Sequence, residues 1–244
     1  MSPGDKKDKR ALAQLVKQAQ NNHPEAFAAL YQLYYRDICY YVQLRAGNDI
    51  TRAEDVAQEA FLQAFKKIGQ LRDPKKFSAW IYQIANRTLL NVQRNEQRHN
   101  LALGDEFSGQ EDLVADPGPL PEELAQHRER CELVADCLQQ MSSSRRLLLL
   151  LRYEADLNAT EIATILELSP GTVRNQLVDA RRELKTLLQK CSATRDILPL
   201  IWLLLPGASL LSRAIEAVVM QNISTVDACS VTAFLLPALT QAPG

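Results

Sequence analysis

The chain has little of what marks several large protein classes. Its five cysteines, Cys39, Cys131, Cys137, Cys191 and Cys229, are scattered singly among 244 residues, with no CxxC pair. That spacing excludes a compact disulfide framework and suits a reducing compartment, so the expected location is cytoplasmic. Nine glycines and an aromatic content of 6% are low for a barrel or sandwich and fit a helical protein. No glycine-rich phosphate loop, HExxH or Gly-x-Ser-x-Gly pattern occurs, so the enzyme classes that depend on them are excluded and none is expected. His127 and Cys131 stand at i and i+4 with Cys137 further on, but no second pair completes a tetrahedral site. Neither a metal nor a cofactor is expected. Residues 1–10 are polar and charged with no continuous apolar core behind them, which predicts no signal peptide. The sixteen uncharged residues from Ile197 to Ser212 are interrupted by Pro199, Pro206 and Gly207, and a bilayer span needs about 20 helical residues.

What is present is 46% hydrophobic residues, ample for packed cores, and a formal net charge of -1 that is strongly segregated. Between Lys66 and Arg98 eight basic residues face only Asp73 and Glu96, a local net of +6. Such a segment can face phosphates. From Asp105 to Glu123 there are seven acids and no Lys or Arg, interleaved with Gly109, Pro117, Gly118, Pro119 and Pro121. That stretch is too polar and broken to bury a core, and DNA would repel it. The expected architecture is therefore all-α, with a helical domain over 1–100, an acidic linker over 101–124, a second helical domain over 125–192 and an apolar extension over 193–244. Within the first domain, turn formers at Asn22-His23-Pro24, at Gly47-Asn48-Asp49 and from Gly69 to Pro74 separate three or four helices. Exposed, the apolar extension would be a partner site or an aggregation liability. It is read as a small helical appendage docked in cis, on another protein or on a membrane surface.

Two adjoining helix signals in the second domain carry chemistry. Asn158-Ala159-Thr160-Glu161 has the form of a capping box. Leu168-Ser169-Pro170 then supplies an apolar turn residue, an N-cap and a proline at the first helical position. Glu167 stands where a helix-turn-helix often has glycine, and a left-handed non-glycine residue costs roughly 1 kcal/mol. Along the second helix Val173, Leu177, Ala180 and Leu184 fall at helical spacing. Thr172, Arg174, Asn175, Gln176 and Asp179 are left outside near its N-terminus, the part of a recognition helix that enters the major groove. Arg, Asn and Gln make bidentate contacts to base edges.

In the first domain Asp55, Gln58 and Glu59 share one helix face at i, i+3 and i+4, either a carboxylate surface for a basic partner or a solvated face. The stretch from Phe77 to Arg98 mixes Trp80 and Tyr82 with Asn86, Arg87, Arg94 and Arg98, which suits a separated DNA strand. Phe77, Trp80, Ile81 and Ile84 are also at core spacing.

Leu147 to Tyr153, Leu157 to Ala163, Gly171-Thr172-Val173-Arg174 and Ala180-Arg181, in that order and spacing, resemble the C-terminal DNA-binding domain of bacterial sigma factors. Ala26 to Tyr31, Glu54 to Phe61 and Phe77 to Ala85 independently resemble the other conserved domain of that family. With these two domains alone, the chain is similar to the extracytoplasmic-function group over about residues 12 to 190. The resemblance implies a protein that binds core RNA polymerase, carries it to promoter DNA and melts it, with an anti-sigma factor as one further candidate partner. It implies polymerase binding by Asp55, Gln58 and Glu59. It gives Lys75, Lys76, Trp80, Asn86, Arg87 and Arg94 to the minus-ten element, and Thr172, Arg174, Asn175, Gln176 and Arg181 to the upstream element. It also implies that the acidic linker threads the polymerase cleft. Arg87, Asn91, Gln176 and Asp179 depart from the residues common in relatives, so promoter preference does not carry over. A helix-turn-helix regulator acting without polymerase is the alternative, but it leaves the first domain unused. If the extension is regulatory, deleting residues 195–244 changes polymerase binding or promoter output in a transcription assay; unchanged values in both would count against that role.

Overall fold

The computed structural model describes residues 9–100 and 133–191, which belong to two separate compact units. The acidic linker, the apolar extension, His127, Cys131 and Cys229 lie outside the described residues. Every described element is helical.

The first unit opens with α1, Lys9–Gln20, which buries Leu12, Val16 and Ala19 at i, i+4 and i+7. Asn22 follows with φ 62, a left-handed conformation that asparagine tolerates better than most residues. The next helix, α2, is Pro24–Arg45, with its proline in the first turn, where a missing N–H breaks no helical hydrogen bond. Fifteen of its 22 residues are buried, so α2 is covered on nearly all sides and the other helices pack around it. Gly47 and Asn48, with φ of 78 and 74, turn the chain into α3, Ile50–Lys67. Its N-cap Asp49 accepts a hydrogen bond from the Arg52 amide at 3.0 Å. Ala53, Ala57, Ala60 and Ala64 are buried along α3, and these small side chains let it lie close to both α2 and the last helix of the unit, α4, Phe77–Asn100.

Aromatic residues are few, yet eleven of the fifteen lie between Phe27 and Tyr82, so this core is built from rings. Tyr31 stacks on Tyr35 at 4.7 Å and meets Phe61 of α3 at 4.8 Å. Phe27 meets Phe65 edge-on at 5.0 Å. On the other side of α2, Tyr34 meets Phe77 at 5.3 Å and Tyr41 meets Tyr82 at 5.2 Å. Edge-to-face and offset pairs of this kind add about 0.5–1.5 kcal/mol each beyond their buried area. Burial, the largest cause, pushes the Cys39 thiol up to about 12, which leaves it an inert core residue.

The second unit has an aliphatic core. It contains α5 over 133–139, α6 at Ser143–Leu149, a π-helical turn at Leu150–Glu154, α7 at Ala159–Leu166 and α8 at Pro170–Cys191. Leu147, Leu148, Leu149, Leu150 and Leu151 are all buried. Five consecutive buried residues need cover on more than one face, which α8 gives to α6 and α7 to the wide turn. The turn closes with the Ala155 amide donating to the Leu150 carbonyl at 3.1 Å, the longer loop of a π-bulge.

The helix pair α7–α8 has the local chemistry its sequence predicts. Asn158 Oδ1 accepts from the Thr160 and Glu161 amides while Glu161 Oε2 accepts from the Asn158 amide, a complete capping box. Ser169 Oγ accepts from the Thr172 amide at 3.0 Å. Between the helices Glu167 has φ 57. We expect Glu167→Gly to raise the unfolding free energy of this unit by about 1 kcal/mol and Asn158→Ala to lower it by about the same amount. Urea denaturation of both variants checks this; a destabilising Glu167→Gly would show that the exposed glutamate is held by something other than backbone geometry.

Candidate nucleic-acid interface

The loop before α4 and the outer face of α4 carry five exposed basic residues, Arg72, Lys75, Lys76, Arg87 and Arg94. Two 3₁₀ turns, Ile68–Gln70 and Pro74–Lys76, lead into the helix, and Asp73 Oδ1 accepts from the Lys75 amide at 3.1 Å to cap the second. Arg72, Lys75 and Lys76 are exposed. Along α4, Trp80, Gln83, Arg87, Asn91 and Arg94 follow one another at spacings of three and four residues, so they lie along one side of the helix. Arg87, Asn91 and Arg94 are exposed, while Trp80 and Gln83 are partly so. Trp80 leans on Phe77 at 5.9 Å and leaves part of its ring outside, which joins an aromatic surface to two cationic positions, Arg87 and Arg94.

Two expectations for this stretch are corrected. Asn86 is 4% exposed, and its Oδ1 accepts hydrogen bonds from the Tyr41 hydroxyl at 3.0 Å and from Arg45 at 3.1 Å. It fastens α4 to α2 and has no face for a DNA strand. The reason is geometric: one residue ahead of exposed Arg87, it is turned about 100° toward the core. Tyr82 is buried beneath Tyr41, so Trp80 is the aromatic that reaches the surface of α4. The Tyr41 hydroxyl, pushed upward by burial, stays a proton donor to Asn86.

On α3, Asp55 and Glu59 are exposed. Gln58 is half-buried and hydrogen-bonds Tyr35, so it turns partly inward while the two carboxylates face out. Burial, and then Asp55 beside it, raise the Glu54 carboxyl, the effect of crowding like charges on one helix. Asp55 and Glu59 edge a shallow groove with Asp49, Thr51, Val56, Val92 and Glu96. Arg52 pairs with Glu96 across it, so the remaining exposed charge at this edge is acidic.

In the second unit Thr172, Arg174, Asn175, Gln176 and Arg181 are all exposed. The Thr172 hydroxyl shares a 2.8 Å hydrogen bond with Ser169 Oγ and is thereby tied into the cap. Arg174, Val178, Arg181 and Lys185 form a second stripe at i, i+4, i+7 and i+11, all exposed. Arg174 and Arg181 of this stripe are among the residues expected from the sequence; Val178 and Lys185 complete it. The Arg181 guanidinium lies over the Tyr153 ring at 5.6 Å, within cation–π range. That contact is not legible from local spacing, because the π-helical turn sets where Tyr153 stands. Asp179 pairs with Arg182 at 3.6 Å, so one acid on this helix is offset within the helix itself.

No group of three or more His, Cys, Asp or Glu residues able to hold a metal occurs among the described residues. No helix among them is long and apolar enough to cross a membrane. The difference between Asn86 and its neighbour is measurable. Asn86→Ala orphans the Tyr41 hydroxyl and should cost about 1–3 kcal/mol of stability, whereas Arg87→Ala should stay within about 0.5 kcal/mol. Equal stability losses in chemical denaturation would contradict this division.

Comparison with known proteins gives the geometry its context. Residues 30–99 match the model of sigma-70 region 2, and residues 131–184 match that of sigma-70 region 4. The chain is 31% identical over 181 residues to the ECF RNA polymerase sigma factor SigW of Bacillus subtilis, covering 71% of this chain and 95% of that protein. It is 32% identical over 183 residues to the RNA polymerase sigma-H factor of Pseudomonas aeruginosa, covering 72% and 93%. With the ECF RNA polymerase sigma factor SigL of Mycobacterium tuberculosis it shares 30% over 176 residues, covering 70% and 95%. The chain therefore belongs to the extracytoplasmic-function group of RNA polymerase sigma factors, initiation factors that direct polymerase to promoters and are not enzymes.

Proposed function

We propose that the two units divide promoter engagement between them, with Asp55 and Glu59 meeting basic residues of core polymerase and Gln58 at the edge of that contact. Lys75, Lys76, Arg87 and Arg94 hold the backbone of the separated minus-ten strand, and the exposed part of Trp80 stacks on a base. Arg174, Asn175 and Gln176 read base edges of the upstream element, with Arg181 on a phosphate and Thr172 at the helix entrance. The observation that carries this reading is the α4 stripe, where a partly exposed ring, Trp80, is followed by two exposed arginines, Arg87 and Arg94, along one helix face. That combination serves a single strand, because stacking needs an unpaired base and the cations follow its backbone. The exposed face of α8 is less basic than that of a free-standing DNA binder, since Gln176 and Asp179 occupy it. Affinity then comes from the complex with polymerase, and an anti-sigma factor would act by withholding the protein from that complex. The work is cytoplasmic because polymerase is there. The acidic linker over 101–124 serves as a nucleic-acid mimic in the polymerase cleft, and the 193–244 extension as a regulatory appendage.

Transcription with core polymerase over a genomic library, followed by variants on a recovered promoter, tests the assignment. Asp55→Ala with Glu59→Ala should weaken core binding by about tenfold or more, as loss of charge-assisted contacts does. Each of Lys75→Ala, Lys76→Ala and Arg94→Ala should lower the slope of log affinity against log salt by about 1 for DNA with an open minus-ten strand. Unchanged salt slopes in all three would remove both the loop before α4 and the α4 face from the DNA contact.

A further inference from the structure

The loop that presents Arg72, Lys75 and Lys76 is held from outside by one side chain. Gln20, the last residue of α1, is part-buried, and its Nε2 donates to the Leu71 carbonyl at 2.8 Å and to the Ile68 carbonyl at 3.0 Å. Both partners are oxygens, so the amide nitrogen must be the group that faces them, and its two N–H bonds match two acceptors. The Ile68 carbonyl also accepts from the Leu71 amide at 3.1 Å, which uses both of its lone pairs. The two carbonyls bracket the first 3₁₀ turn, and the exposed basic residues begin at the next position, Arg72. The second turn is closed by Asp73 and also packs against α1. Each end of the loop therefore has a fixed point. Helix α1 lies ahead of residues 30–99, which match the region 2 model.

We infer that Gln20 is a positioning residue for the minus-ten contact, acting through the Leu71–Lys76 loop. This rests on the reading of that loop as the holder of the separated strand. A loop free to move must be ordered when it binds, and that entropy is subtracted from affinity. The Gln20 clamp orders it beforehand, so the lysines meet the strand already in place. Gln20 itself touches no DNA.

The test uses the full chain with core polymerase and two probes from a recovered promoter, one a duplex carrying only the upstream element and one with the minus-ten strand held open. Gln20→Met and Gln20→Glu both keep the length of the side chain and lose the donor. Each should bind the open probe about tenfold more weakly and the upstream probe within about twofold of the unaltered protein. Agreement between the neutral and charged variants assigns the loss to the missing donor; a loss in Gln20→Glu alone assigns it to repulsion of DNA and overturns the inference. Equal losses on both probes point to a general folding defect and also overturn it. Hydrogen exchange of the Leu71, Arg72 and Lys76 amides in the free chain should be about tenfold faster in both variants, and unchanged exchange counts against the clamp. Lys75→Ala with Lys76→Ala is the control on the underlying reading. If it leaves open-probe binding intact, the loop is not the strand holder, whereas a loss there with Gln20 variants that bind normally defeats the Gln20 role alone.

Discussion

Burial of α2 is the constraint on which the first unit depends. A helix with fifteen of its 22 residues out of water has no solvent face of its own, and α1, α3 and α4 must cover it. Its rings set where they lie. Tyr31 and Phe27 meet Phe61 and Phe65 of α3, and Tyr34 and Tyr41 meet Phe77 and Tyr82 of α4. The acidic face of α3 and the basic face of α4 are the outward sides of helices whose inward sides are committed to α2. Charge could not occupy the inward sides without an unpaired ion in an apolar core.

The second unit solves a different problem with aliphatic side chains and local geometry. The run Leu147 to Leu151 is too continuous for a one-sided amphipathic helix, and the π-helical turn at its end shifts the register so that Tyr153 emerges where Arg181 can rest on it. The left-handed Glu167 carries a modest cost, offset by hydrogen bonds at the caps on both sides of it. A short, capped connection of this kind holds α8 at a defined angle to α7, which a recognition helix needs in order to enter a groove.

Charge acts in three ways across the described residues. Some pairs lie within one helix, such as Asp179 with Arg182, and these are surface contacts of modest worth. Others tie elements together, as Arg145 of α6 does with Glu183 of α8. Asp55 and Glu59 on α3, Arg87 and Arg94 on α4, and Arg174, Arg181 and Lys185 on α8 stand exposed in rows. Those rows are the surfaces we propose for polymerase and DNA, because an exposed charge can meet one of opposite sign on a partner.

The sequence by itself determined much of this protein. Helical spacing of apolar residues, the Asn158 capping box, the Ser169-Pro170 start and the segregation of acid from base are local features, set by residues within a few positions of one another. They were enough for the all-α class, for the helix-turn-helix and for the basic character of the Lys66–Arg98 stretch. Tertiary structure decided matters that depend on distant partners. Asn86 and Arg87 are adjacent and both polar, yet packing against Tyr41 and Arg45 takes the first inside and leaves the second out. Gln58 shares a face with Asp55 by spacing, but Tyr35 draws it inward. Gln20 reaches a loop about fifty positions along the chain, and Arg181 finds Tyr153 across a helical irregularity. A hydrogen bond or a stacking contact has a range of a few ångströms in space and no range in sequence, so only the folded chain could show which polar residues hold the site and which present it.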